Sequence, residues 1–272
     1  MHKLGRSVRF SINPFLDKDN VGFNSFCSKP AGKGLAIFLE LGVELTGDVD
    51  RKTGFVVNVS DIDDCVRQYA IPVFAERIRA AFSAGKHITI LEIAKVLHTI
   101  KKELAKKFKP AKLSRLSLNL NPFRKVEIDC EDCQMIYFSE KFEFAAMHKL
   151  WNDEFSEEKN LQVFGKCANP TGHGHNYIVE VTVKASTGSR EFGISDFEKA
   201  VNDKLIEAVD HRNLNIDVGH FAKTNPTVEN IAAFAWEKLV GSFGKADLHC
   251  VTLWETEKTY CSYYGHKKPI AQ

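Results

Sequence analysis

Alternation of apolar and polar residues marks the strands of this chain. Ile178-Val179-Glu180-Val181-Thr182-Val183 is the clearest such run. Residues two apart in a strand share a face. Continued backward, the run sets His173, His175 and Tyr177 on the face of Val179, Val181 and Val183, and Gly174 leaves space on the other side. Phe142, Phe144, Ala146 and His148 alternate onto one face of an earlier strand. Residues 248–254 and 260–264 read as two further strands joined by a short polar turn. Between these runs the spacing becomes helical. Phe197, Val201, Leu205 and Ala208 form an apolar stripe. Ser195-Asp196-Phe197-Glu198 reads as its capping box, with Ser195 as N-cap. A second helix opens at Asn225-Pro226-Thr227, with Pro226 in its first turn, and buries Val228, Ile231, Ala235 and Leu239. The order is β-β-α-α-β-β.

The first half repeats that order. Residues 36–45 form an apolar strand, and residues 54–61 form a strand that ends in a helix start near Ser60. A helix then carries Ile93, Leu97, Ile100, Leu104 and Phe108, followed by strands at 116–120 and 126–129. The loop ahead of the strands repeats as well. Cys27-Ser28-Lys29-Pro30-Ala31-Gly32-Lys33-Gly34-Leu35 matches Cys167-Ala168-Asn169-Pro170-Thr171-Gly172-His173-Gly174-His175, with cysteine, proline and both glycines in register. The expected organisation is two tandem copies of one α+β domain, residues 1–132 and 133–272.

Composition narrows the setting. The chain has 272 residues, 44% hydrophobic and 26% charged, which suits a soluble globular protein with a full core. Its formal net charge of +2 carries no global basic field, so nucleic acid is not an expected partner. No stretch approaches the ~18 consecutive apolar residues of a membrane span, and the first residues lack the apolar core of a signal peptide. Seven irregularly spaced cysteines fit reduced thiols in a cytoplasmic setting. Cys130 and Cys133 make a single Cys-x-x-Cys with no second ligand pair, and read as incidental thiols. The basic run at residues 101–112 reads as a solvated face.

The candidate chemistry lies in the second copy. Two imidazoles on one face suit a metal, and Cys167 just upstream suits chemistry beside it. The same residues also read as two half-buried histidines and an inert cysteine. His148, at a strand end on an apolar face, supplies a third imidazole if a neighbouring strand sets it beside His173 and His175. Three neutral imidazoles would leave a metal its charge and an open position, as a catalytic zinc requires. Asp210-His211 offers an aspartate that can fix an imidazole tautomer, or simply a helix end and a solvated turn. Glu255 ends an apolar strand, where a carboxylate can accept paired N–H groups from a planar heterocycle. Glu229 falls in a first helical turn, either facing the pocket or complementing the helix dipole.

With these residues assembled, residues 137–265 resemble the 6-pyruvoyl-tetrahydropterin synthase family, which includes the 6-carboxytetrahydropterin synthases. The carriers are Phe144-Ala145-Ala146-Met147-His148, Asn160-Leu161-Gln162-Val163-Phe164-Gly165-Lys166-Cys167, Gly172-His173-Gly174-His175-Asn176-Tyr177, Asp210-His211-Arg212-Asn213-Leu214, Pro226-Thr227-Val228-Glu229-Asn230 and Trp254-Glu255-Thr256. Met147 stands where the family usually has a small residue. The resemblance implies the T-fold, an antiparallel four-stranded sheet with two helices on one face, with sheets joined into barrels on homo-oligomerisation and active sites at subunit interfaces. It implies zinc on His148, His173 and His175, and Cys167 as general base aided by Asp210 and His211. Glu255 would anchor the pterin ring, with Glu229 and Thr227 near it. The implied substrate is 7,8-dihydroneopterin triphosphate, and the implied reaction eliminates triphosphate to give the pyruvoyl product. The carboxy-forming branch, which serves deazapurine (queuosine) synthesis, uses the same site. The Cys-x5-His-x-His spacing is more like the pyruvoyl branch.

The first copy departs from that pattern. Lys33 and Leu35 stand where His173 and His175 do, Asn121 falls where Glu255 does, and no Asp-His pair occurs near residues 69–74. It is expected to hold no catalytic zinc and to serve structure. Two readings of another class compete for the whole chain: a non-catalytic pterin or purine binder, and a structural T-fold protein.

Overall fold

The computed structural model describes residues 1–16, 36–132, 134–187 and 193–265. The first Cys-Pro-Gly-x-Gly stretch, with Cys27, Lys33 and Leu35, lies outside the described residues, as does Cys133. The chain divides into two compact units, Met1–Phe138 with Ala185–Glu191 and Ser139–Lys184 with Phe192–Gln272.

In the first unit β1 (His2–Ile12), β2 (Ile37–Gly47), β3 (Lys112–Asn119) and β4 (Arg124–Asp129) pair antiparallel in chain order. Their alternation decides the layering. Val8, Phe10, Ile12, Leu39, Leu41, Val43, Leu116, Leu118, Val126 and Ile128 are buried. The opposite face carries cross-strand polar pairs, such as Arg9 Nε donating to Glu40 Oε2 at 2.6 Å and Asn119 Nδ2 to Glu40 Oε1 at 3.1 Å. Between β2 and β3 come α1 (Val59–Cys65), a π-helical turn (Val66–Ala70), α2 (Ile71–Ser83) and α3 (Ile90–Lys107). They pack on the apolar face, where the rings of Phe10 and Phe74 lie 5.8 Å apart. Leu41 is fully buried there. Leu41→Ala is expected to cost about 2–5 kcal/mol, read as a lower urea midpoint; a loss under about 1 kcal/mol would take Leu41 out of the core.

The expected strand at residues 54–61 does not form. Asp50 Oδ1 accepts from the backbone N–H groups of Lys52 and Thr53, and Gly54 takes a positive φ of 74°. Asn58 Oδ1 then accepts from Ser60 N as the N-cap of α1. These side-chain acceptors hold a turn where the apolar run alone reads as a strand. The basic run is also less uniform than expected: Lys101 is half-buried and donates to the Cys130 carbonyl at 2.5 Å, while Lys107 lies over the Tyr69 ring.

In the second unit the sheet comprises β5 (Met135–His148), β6 (His173–Ser186), β8 (Asp247–Thr256) and β9 (Thr259–Tyr263) in spatial order. β8 is antiparallel to both β6 and β9. A two-residue β7 (Arg212–Asn213) is an addition to the antiparallel scheme, pairing parallel with Ala146 and Met147 of β5. α4 (Glu157–Phe164) leads into a short 3₁₀ turn (Gly165–Ala168). α5 (Ile194–Val201) continues through a π-helical turn (Asn202–Ile206) into α6 (Glu207–Val209), and α7 (Leu214–Asp217) and α8 (Val228–Leu239) follow.

Three details of these helices differ from the sequence expectation. The N-cap of α5 is Gly193 rather than Ser195, and no side chain caps it. Among the described residues a capping box forms instead at Thr89 and Glu92, where both reciprocal bonds are made. The buried stripe of α5 and α6 ends on Val209, not Ala208, because a π turn adds a residue to the helical repeat. Pro226 precedes α8, whose N-cap is Thr227. No helix among the described residues is long and apolar enough to cross a membrane.

Candidate metal centre and its thiol

β5 ends on His148, and β6 begins on His173. Ser139 and Thr182 face each other further along the same two strands, with hydroxyl oxygens 2.9 Å apart. Strand alternation turns His148, His173 and His175 to the side of Phe144, Tyr177 and Val179, which are buried. The turn before His173 depends on Gly172. It has a positive φ of 71°, and a Cβ there would lie 2.8 Å from the His148 carbonyl oxygen.

The three imidazoles converge. One ligand atom from each lies within 4.8 Å of the others, and the Nε2 atoms of His148 and His173 are 3.1 Å apart. His148 is buried, and its Nδ1 lies 2.7 Å from the Pro226 carbonyl oxygen and 3.4 Å from the Tyr177 hydroxyl. His173 Nδ1 and His175 Nε2 are buried without a hydrogen-bond partner. Burial pushes the pKa values of His148 and His175 down and keeps both rings neutral. Neutral, convergent rings with an unsatisfied buried nitrogen fit a divalent metal with nitrogen ligands.

Glu255 joins this cluster. The β8–β9 register shifts between Trp254 and Thr256. Such an irregularity re-aims a side chain. Glu255 Oε1 lies 3.6 Å from His148 Nε2 and 3.7 Å from His175 Nε2. Cys167 sits in the 3₁₀ turn with its Sγ 3.8 Å from His173 Nε2. Burial, and then the charge of Glu255, pushes the Cys167 thiol up. By itself this chain therefore keeps the thiol protonated at neutral pH, and a thiolate needs added positive charge.

Asp210 and His211 lie elsewhere. Asp210 Oδ1 accepts from Ala145 N at 2.9 Å, His211 N donates to the Ala145 carbonyl at 2.6 Å, and His211 has a positive φ of 55°. Asp210 Oδ2 lies 2.9 Å from His211 Nδ1. The backbone N–H of Ala145, and then His211, hold the Asp210 carboxyl below its usual range. These backbone bonds set the pair beside the end of β5, and His211 lines an open pocket of about 590 Å³ with Ala146, Met147, His175, Asn176 and Asn213. The His211 side chain is 82% exposed. Among the described residues no hydrogen bond or ion pair joins Cys167 to either of them.

Thr227 and Glu229 belong to the start of α8. The Thr227 hydroxyl accepts from Asn230 N at 3.3 Å as the helix cap, and Glu229 is exposed, its charge acting on the Cys261 thiol. In the first unit Asn121 Oδ1 closes the β3–β4 turn by accepting from Phe123 N and Arg124 N. The sequence reading missed the Pro226 carbonyl behind His148. Its signal is an Asn-Pro pair just ahead of a threonine N-cap, which fixes where that carbonyl points.

A family model described as 6-pyruvoyl tetrahydropterin synthase matches residues 137–266. The 6-pyruvoyl tetrahydrobiopterin synthase of Pongo abelii is 38% identical over 131 residues, which cover 47% of this chain and 90% of that protein. The Drosophila melanogaster protein of the same name is 39% identical over 126 residues, 45% of this chain and 75% of its own. The 6-carboxy-5,6,7,8-tetrahydropterin synthase of Aquifex aeolicus is 29% identical over 160 residues, 46% of this chain and 95% of that protein.

Proposed function

The chain belongs to the 6-pyruvoyl tetrahydropterin synthase family, and we propose that its second half is a zinc-dependent lyase that eliminates triphosphate from 7,8-dihydroneopterin triphosphate. The observation that carries this reading is the meeting of His148, His173 and His175 with Glu255 and Cys167 at one end of the sheet. The three histidines would hold zinc. When bound, zinc supplies positive charge that polarises a coordinated hydroxyl and acidifies the neighbouring C–H. That charge also offsets the burial and the Glu255 carboxylate that keep Cys167 protonated.

Cys167, as thiolate, takes the acidified proton from the substrate side chain. Glu255 accepts parallel N–H bonds from the pterin ring, which sets the side chain between thiol and histidines. In this reading Glu229 and Thr227, at the start of α8, lie near the pterin ring. His211, oriented by Asp210, returns a proton as triphosphate leaves and the side chain tautomerises to the pyruvoyl form. Because no hydrogen bond or ion pair joins Cys167 to Asp210 or His211 among the described residues, in this reading a second copy of the chain supplies them to each site. Self-association is therefore part of the activity.

The first half, residues 1–132, serves in this reading as a structural copy of the catalytic domain at 133–272 and carries no zinc. The Aquifex relative keeps a second reading in play, the carboxy-forming reaction at the same site, with loss of the side chain as acetaldehyde. Incubation with 7,8-dihydroneopterin triphosphate and mass analysis of the products tests both. Triphosphate with the pyruvoyl pterin is expected. Acetaldehyde with the carboxy product would move the chain to the other branch, and zinc binding without triphosphate release would leave only a binder.

A further inference from the structure

We propose that the turn Asn225-Pro226-Thr227, braced by Asn230 and tied to Trp151, is a positioning element that fixes His148 for metal binding. The inference rests on the reading that the three histidines hold zinc. A backbone carbonyl can only accept, so the buried 2.7 Å contact to Pro226 places the proton of His148 on Nδ1. Nε2 then carries the lone pair, and Nε2 is the atom that meets His173 and Glu255. The Tyr177 hydroxyl, 3.4 Å from the same Nδ1, is the weaker partner.

Several contacts set the direction of that carbonyl. Thr227 N donates to the Asn225 carbonyl at 2.8 Å, closing a three-residue turn centred on proline. Proline favours such a turn because its ring fixes φ. Asn230 Nδ2 donates to the same Asn225 carbonyl at 2.8 Å. Both acceptor positions of the Asn225 carbonyl are then filled, and the Pro226 carbonyl is left to His148. On the other side, Asn225 Oδ1 accepts from Trp151 N at 2.9 Å, three residues beyond His148. The turn is thus anchored to α8 and to the chain leaving the ligand. Helix capping does not require this bracing, because the Thr227 hydroxyl already caps α8 through Asn230 N. Outer partners of metal-bound imidazoles act in this way, fixing tautomer and ring orientation.

The two asparagine side chains play opposite roles, so one substitution separates them. Asn230→Asp keeps the shape and removes the donor. It is expected to weaken zinc about 10–100-fold in chelator competition, and to change the Co(II) absorption spectrum, without altering the apo far-UV spectrum. Asn225→Asp keeps the acceptor for Trp151 N and is expected to bind zinc within about threefold of the parent chain. Equal affinity for Asn230→Asp and the parent overturns the proposal and leaves the zinc reading standing. A parent chain that binds no zinc removes both. If Asn230→Asp fails to fold, ¹⁵N NMR of His148 in the apo parent decides: a protonated Nδ1 is expected, and the opposite tautomer overturns the proposal.

Discussion

His148→Ala is expected to release the metal and lower turnover by about 10³-fold or more, the scale of removing several kcal/mol of charge stabilisation. The parent chain should carry about one zinc, as a site of three histidines with an open position requires. His148 is the most demanding of the three to replace. It is buried, it meets His173 through one ring nitrogen and Pro226 through the other, and its burial favours the neutral form that binds metal. Removing it also strands a buried carbonyl, at about 1–3 kcal/mol of stability. His175→Ala is therefore the cleaner companion, since His175 Nε2 has no hydrogen-bond partner to lose. Both variants should lose zinc and activity together, with His148→Ala melting lower. Full zinc content and turnover in either would end the proposal that these histidines hold the metal. About two zincs per chain would end the proposal that the first half carries none.

Much of this site was legible because strand alternation is insensitive to small errors. His173 and His175 share a face with Tyr177 and Val179 whatever the strand's exact start. The same rule sends Phe144, Ala146 and His148 inward together. What escaped was set by local side-chain acceptors and backbone irregularities that periodicity does not carry. Asp50 and Asn58 turned an apolar run into a loop and a helix cap. A π-helical turn moved the end of a buried stripe from Ala208 to Val209. The irregularity at Trp254 and Thr256 helps aim Glu255 at the histidines, and no local pattern announces it. The Asp210-His211 pair was visible as residues, but not its place beside β5. Its place comes from backbone bonds to Ala145 and a left-handed residue at His211.

That last placement yields the second large expectation. Cys167→Ala and His211→Ala should each lose about 10²–10⁴-fold in turnover, the usual contribution of a positioned acid or base. Mixed and reassembled together, the two inactive proteins should recover about a quarter of the parent activity. The arithmetic follows from geometry. Cys167 meets His173 at 3.8 Å, while His211 is 82% exposed, tied to Ala145 and paired with Asp210 rather than with the thiol. If each site takes Cys167 from one copy and His211 from another, random assembly gives half the sites an intact thiol. Half of those also receive an intact imidazole. A double variant mixed with the parent protein would report any simple dilution. No recovery on mixing, with exchange of subunits verified by mass, would mean that the thiol and the Asp210-His211 pair do not serve one site across two copies. Cys167 would then act with His173 alone, and a base with its thiol pushed up by burial and Glu255 would depend entirely on the bound metal for its charge.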